Sequence, residues 1–297
     1  MSDATHPQQA RPLPDLFETM PDHSKLAILV RRYPAMCLGL VLLAAVFLMA
    51  VFAPLLATAD PVALNVVPRL TSPSEAAWFG ADMLGRDVYS RVVYGARVSL
   101  VVGFSVALIA TAAGLAIGML AGFVRPLDGV IMRVMDGLMA IPSILLAVAF
   151  MALIGSSVGN VILAITVAEI PRVARLVRST VLTLREQAYV DAAITSGTRT
   201  PAIIFRHILP NAVPPVMVQA TYICASAMVI EAILSFIGAG TPPTIPSWGN
   251  IMTEGRALWQ VKPHIVAFPA VFLSLTVLAV NLVGDGLRDY LDPRQAK

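Results

Sequence analysis

The chain has 297 residues, 57% hydrophobic and 13% charged, with a mean hydropathy of +0.78. A water-soluble globular protein carries roughly 25% charged residues, so this composition excludes a soluble core and predicts one membrane-embedded helical domain. The formal net charge of +3, from 21 Lys and Arg against 18 Asp and Glu, is too small an excess to indicate a nucleic-acid partner.

The first 33 residues are polar, with Pro7, Pro12, Pro14 and Pro21 and the basic residues Arg11, Lys25, Arg31 and Arg32. They read as a cytoplasmic N-terminal segment, 1–33. The apolar run after them, Pro34 to Ala59, is far longer than the roughly 7–15 apolar residues of a cleaved signal and predicts an uncleaved first span, 34–59. A helix needs about 20 apolar residues to cross the hydrocarbon, and a charge in its middle is costly; charge-free intervals therefore delimit the rest. After a polar stretch, Asp60 to Arg97, a second span is predicted at 98–124, where Gly114 and Gly118 have the small-x-x-x-small spacing that permits close helix contact. No charge lies between Asp136 and Glu169, but Gly155-Ser-Ser-Val-Gly-Asn160 has a turn composition. Dividing there gives spans at 129–154 and 157–178, the latter emerging from lipid through Arg172, Arg175 and Arg178. A polar loop, 179–211, leads to a fifth span at 213–240 containing Glu231. A Pro-rich loop precedes the sixth, 265–284, and a cytoplasmic tail, 291–297, closes the membrane domain of 34–290.

Lys and Arg are biased to the cytoplasmic face of short loops. With the N-terminus inside, 15 of the 21 basic residues fall on that side and six (Arg69, Arg86, Arg91, Arg97, Arg256, Lys262) on the other. Both termini are therefore expected in the cytoplasm, which requires an even number of spans.

The 179–211 loop is elaborate for a link. Leu182 to Ala193 has helix-forming composition, Gly197 interrupts it where the backbone must turn, and Thr200-Pro201 has the form of a helix start. A second short helix, 201–208, is expected, ended by Pro210, Pro214 and Pro215. Ile203, Ile204, Phe205 and Ile208 put large apolar groups on this elbow, which reads either as a solvated loop or as a docking surface.

Other residues have a plain reading beside a functional one. Glu231 is either a packing residue or part of a gate or pathway. Glu169 reads as an interfacial ion-pair residue, Trp248 and Trp259 as interfacial anchors. Asp82, Arg86, Asp87, Arg91 and Arg97 are spaced for local pairing, which on a solvated surface is worth little. Cys37 and Cys224 sit in apolar stretches and the four histidines are scattered, so neither a disulfide framework nor a metal site is predicted. No phosphate-binding Gly-x-x-x-x-Gly-Lys-Ser/Thr loop occurs, so no cofactor is assigned to this chain.

Three segments carry a family resemblance: Tyr189-Val-Asp-Ala-Ala-Ile-Thr-Ser-Gly197 followed by His207-Ile-Leu-Pro-Asn211; Phe79-Gly-Ala-Asp-Met-Leu-Gly-Arg-Asp-Val-Tyr-Ser-Arg91 with Tyr94-Gly-Ala-Arg-Val-Ser-Leu100; and Leu234-Ser-Phe-Ile-Gly-Ala-Gly-Thr-Pro-Pro243 with Pro246-Ser-Trp-Gly249. Together they resemble the membrane permeases of bacterial ABC importers, in the dipeptide, oligopeptide, glutathione and nickel branch, and the second of its two permease types in particular. Asp191 stands where that family usually has Glu, and His207 where it is usually apolar. The resemblance implies an all-α six-helix permease bundle in the bacterial inner membrane, a pore-forming subunit of a heteromeric, binding-protein-dependent transport complex with no catalytic group of its own. It implies that Asp191, Ala192, Ala193, Gly197, Pro201, Phe205, His207, Leu209 and Pro210 form a coupling loop to a cytoplasmic ATPase. Asp82, Gly85, Arg86, Asp87, Arg91 and Trp248 would shape the outer mouth. The implied partners are a second homologous permease, two ATPase subunits holding ATP and magnesium, and an extracytoplasmic solute-binding protein. A secondary transporter or an intramembrane enzyme are the alternatives. The first would favour paired repeats with broken helices, and the second lacks a convergent catalytic pair.

Overall fold

The computed structural model describes residues 30–291. The expected cytoplasmic ends, 1–33 and 291–297, lie outside the described residues apart from 30–33 and 291. The described residues from Ala35 onward group as one compact unit. The helical elements in chain order are α1 (Pro34–Val51), α2 (Ala53–Leu56), α3 (Val88–Phe123), α4 (Arg125–Met139), α5 (Ser143–Ile154), α6 (Val158–Arg185), α7 (Ala188–Thr195), α8 (Thr200–Ile203), α9 (Leu209–Ile237), α10 (Trp248–Gly255) and α11 (His264–Leu291). A π-helical turn, Ile204–Ile208, joins α8 to α9 without a break. Among the described residues only two isolated β-bridges interrupt this all-helical architecture.

Among the described residues, four helical stretches are long and apolar enough to cross a membrane: α1, α3, the continuous 200–237 stretch and α11. The α4–α5 pair makes a fifth if taken as one span, although its halves are bent by 87°. Helix α6, 28 residues and about 42 Å long, is the sixth long element but carries Glu169, Arg172, Arg175, Arg178 and Arg185.

The predicted spans exist as helices, but several boundaries and one shape differ. Helix α1 stops at Val51, eight residues before the predicted end of its span; Pro54 starts the short α2, and Thr58 and Ala59 are bonded to the start of α3 instead. Helix α3 begins ten residues before the predicted Val98. Asp87 caps it by accepting from the Ser90 N–H, and its two early arginines find partners within the protein. The expected single helix at 129–154 is two, broken at 140–142, because Pro142 has no N–H to donate and holds Ile141 away from helical backbone angles. Helix α6 starts one residue after the predicted Ser157, which caps it, and runs seven residues beyond Arg178. Its arginines have partners within the protein, Arg175 with Asp136 and Arg178 with Asp128 on α4, while Arg185 donates to the Gly122 carbonyl. Residues 179–185 are thus helix rather than loop. The expected short helix at 201–208 does not end at its prolines: Pro210 directly follows the π-helical turn within the continuous helix, and Pro214 and Pro215 lie further inside it. Helix α11 passes the predicted end at Gly284 because that glycine is a packing position against Thr221.

Helices α3 and α6 pack against each other along a row of glycines. Gly114, Gly118 and Gly122 of α3 face Val173, Ala174, Val177 and Val181 of α6, and a Cβ at Gly118 would stand 2.6 Å from both the Ala174 oxygen and Val177 Cβ. The spacing read from Gly114 and Gly118 is therefore used, one turn further than expected. Ascending numbers match ascending numbers, so the two helices run in the same direction. The start of α3 and the end of α6 consequently lie at opposite ends of the pair, which separates the two candidate sites.

A glycine-hinged elbow and an ion-paired cap as candidate functional sites

At the end of α6 the chain turns through Glu186 and Gln187 into the eight-residue α7. Gly197 ends α7 with φ +76°. Its N–H donates to the Ile194 carbonyl at 3.0 Å and the Thr198 N–H to the Ala193 carbonyl at 3.1 Å, the pair of bonds by which a left-handed glycine closes a helix. The predicted turn at Gly197 is therefore a conformational requirement, since a Cβ there would meet nothing within 4 Å.

The elbow's predicted residues divide by exposure. Asp191, Ala192, Gly197, Pro201, Phe205 and Pro210 are exposed; Ala193, His207 and Leu209 are half-buried. Phe205 is 69% exposed and Ile194 55%, while Val190 is buried. Of the four apolar residues expected to project, only Phe205 does so: Ile203 and Ile208 belong to the core and Ile204 is half-buried. The continuous helix turns those side chains towards the bundle. The Tyr189 and His207 rings lie 6.3 Å apart, bracing α7 against the π-helical turn.

At the opposite end, Asp82 is the centre of a buried ionic cluster. Its Oδ1 accepts from the backbone N–H groups of Leu84 and Arg86, and its Oδ2 accepts from Arg86 Nε at 2.6 Å and Arg91 Nη1 at 3.4 Å. Arg86 and Arg91 also reach Glu254 on α10, Arg91 Nη2 to Oε1 at 3.0 Å. Asp82, Arg86 and Arg91 are nearly inaccessible. The solvated surface network expected here is thus a neutral, mostly desolvated set of two guanidinium groups and two carboxylates. Burial pushes the Glu254 carboxyl above the usual range, and Arg91 and Arg86 pull it back.

Asp87 takes no part in that cluster. Its Oδ2 accepts from the Thr58 and Ser90 hydroxyls, at 2.7 and 2.6 Å, as well as from the Ser90 N–H. Arg97 also goes elsewhere, donating to the carbonyls of Ala50 and Val51. Gly85, at φ +71°, turns the chain beside Val67. The sequence reading missed Glu254. The segment 82–97 nevertheless carries three arginines against two aspartates, one of them used as a cap, and that surplus calls for an acid from elsewhere.

Trp248 corrects another expectation. Rather than anchoring at an interface, it is fully buried, its Nε1 donating to the Val92 carbonyl at 3.0 Å, and it packs beside Gly95. Trp259 is exposed. Glu169, expected at an interface, is fully buried, with Arg172 Nη1 at 3.4 Å.

Glu231 is buried at the far end of α9, where its Oε1 accepts from the Ser235 hydroxyl at 2.9 Å. Ser235 adjoins Thr241, and Thr241 adjoins Ser247. Asn250 fastens the same loop by donating to Thr241 and to the carbonyls of Pro242 and Ile245. Glu231 thus ends a polar chain that pins the Pro-rich loop, and it does not line the cavity between α5, α6, α9 and α11.

The profile of the family described as binding-protein-dependent transport system inner membrane component matches residues 114–297, which include the elbow. A probable peptide ABC transporter permease of Sinorhizobium fredii is 49% identical over 269 residues, covering 91% of this chain and 92% of the relative. A dipeptide transport system permease of Alkalihalophilus pseudofirmus is 43% identical, covering 86% and 84%. Among solved structures, a chain of the inward-facing MetNI methionine ABC transporter superposes with a TM-score of 0.57 at 21% identity, over 68% of this chain and 96% of that one, which is a likeness of fold. With the helical bundle, the glycine-hinged elbow and these matches together, the chain belongs to the family of binding-protein-dependent transport system inner membrane components.

Proposed function

We propose that this chain is one of two permease subunits of an ATP-driven importer for di- or oligopeptides, with both termini in the cytoplasm and six crossings. The carrying observation is the elbow: an exposed Ile194 on the glycine-closed helix and an exposed Phe205 on the π-helical turn that follows it, at the end of the bundle remote from the buried cap. In water such groups call for a partner, and here that partner is a cytoplasmic ATPase in whose cleft the elbow sits. ATP and magnesium belong to the two ATPase subunits, because the sequence contains no phosphate-binding loop of its own. The cap around Asp82, Arg86, Arg91 and Glu254 faces outward and holds the mouth in shape for a solute-binding protein. The basic-residue asymmetry, 15 against six, supports this orientation, and the peptide class rests on the named activities of the relatives.

The experiment is purification of the intact complex followed by mass measurement. Two ATPases and a second, homologous permease are expected to co-elute with this chain, since two ATPases drive a pathway most readily with twofold or pseudo-twofold geometry. A complex holding one permease chain and no ATPase would overturn the proposal.

A further inference from the structure

A half-open cavity of about 390 Å³ lies between α5, α6, α9 and α11, within the size range of small-molecule sites. Its polar lining comes from four helices: Ser143 at the start of α5, Arg172 of α6, Tyr222 and Ser226 of α9, and Asn281 of α11. The rest is aliphatic. Polar groups among otherwise apolar helices are expensive unless they serve a pathway or a partner, and no hydrogen bond satisfies the side chains of Ser143, Tyr222, Ser226 or Asn281 among the described residues.

Arg172 differs from the arginines that follow it on α6. Arg175 and Arg178 are each held by an aspartate of α4, Arg178 through two bonds to Asp128 of 2.5 and 2.6 Å. Arg172 has a single long contact, 3.4 Å, to Glu169. Glu169 is fully buried whereas the Arg172 side chain is 41% exposed, so the carboxylate balances the charge from behind while the guanidinium fork retains free donors. A guanidinium with free donors matches a carboxylate in two parallel charge-assisted hydrogen bonds.

We propose that this cavity is the chain's share of the solute path and that Arg172 is a specificity-determining residue, a transient anchor for the α-carboxylate of a passing short peptide. The hydroxyls of Ser143, Tyr222 and Ser226 and the Asn281 amide meet the peptide's backbone groups. The buried Glu169 lowers the net charge of the site, which limits the anchor's grip and lets the solute leave, as conduction requires. The inference rests on the peptide reading given under the proposed function.

The test uses the whole complex in proteoliposomes with its binding protein and ATP, and compares uptake of trialanine with uptake of trialanine amide. In Arg172→Gln the ratio of initial rates, acid over amide, is expected to fall roughly tenfold, the scale of one charge-assisted hydrogen bond, and Arg172→Lys should restore part of it. Because Arg172→Gln leaves Glu169 without its counter-ion, the double variant Glu169→Gln/Arg172→Gln keeps the pair neutral and should show the same fall. A ratio within about twofold of wild type in both the single and the double variant, or equal loss for both probes, overturns the anchor and leaves the peptide reading standing. A wild-type complex that takes up neither probe contradicts the peptide reading and removes this inference with it.

Discussion

Replacing Gly197 by valine perturbs the elbow and leaves the bundle alone. Gly197 sits at φ +76° with open space where a Cβ would go, so the substitution meets no clash and its cost is conformational. For an L-residue in the left-handed region that cost is about 1–2 kcal/mol, more for a β-branched side chain. A cost of that size shifts a local equilibrium roughly 5–30-fold. The chain relieves it by leaving positive φ, which breaks the bonds from Gly197 to Ile194 and from Thr198 to Ala193 and frees the last turn of α7, only eight residues long. No atom of the α3–α6 contact at Gly114, Gly118 and Gly122 lies within 4 Å of where a Cβ at Gly197 would stand, so membrane insertion is expected to survive. We expect Gly197→Val to reach normal membrane abundance with weakened ATPase association, or with ATP hydrolysis no longer coupled to uptake. Gly197→Asn should retain most transport, because Asn tolerates this backbone region. Abundance, ATPase co-purification, hydrolysis and uptake are measured separately in reconstituted complexes. Full coupled transport by the valine variant would refute the role given to the elbow.

Single cysteines at Ser2, Ser72 and Gln295, treated with a membrane-impermeant thiol reagent in intact cells, should react only at position 72; labelling at position 2 would overturn the topology. Glu254→Ala leaves Arg86 and Arg91 sharing Asp82 alone, and should lower stability by about 3 kcal/mol, the lower end for a broken buried pair because Glu254 is 24% exposed; an unchanged melting temperature of the purified complex would count against the cap. Gly118→Val drives a Cβ against the Ala174 oxygen, a backbone atom that cannot rotate away. Overpacking of this kind costs roughly 1–3 kcal/mol, so membrane abundance should fall, and wild-type abundance would show that α3 and α6 separate more easily than their packing implies.

Hydropathy and charge located every long helix because lipid imposes those two constraints on each span by itself. They misplaced ends where a charged side chain has a partner from another part of the chain. Arg91 and Arg97 lie inside α3 because Glu254, Asp82 and two carbonyls of α1 receive them, and Arg175 and Arg178 lie inside α6 because α4 supplies Asp136 and Asp128. Such pairings join residues up to 163 positions apart, and local pattern carries no trace of them. The turn at Gly197 was legible because a left-handed residue has a local preference for glycine. The continuity of residues 200–237 was not: three prolines suggested termination, and the bundle holds the helix together around them. Trp248 was misread for a similar reason, since nothing in Pro246-Ser-Trp-Gly249 tells a tryptophan at an interface from one driven into the gap that Gly95 leaves.

In the proposed assembly this chain conducts solute only when ATP drives it. Uptake of trialanine into proteoliposomes holding the purified complex, with binding protein outside and ATP inside, puts that dependence to a direct trial. Uptake is expected to require ATP, the binding protein and this chain together, and none should occur in proteoliposomes containing this chain alone. Uptake by the isolated chain driven by an ion gradient without ATP would contradict the assembly and make the protein a secondary transporter.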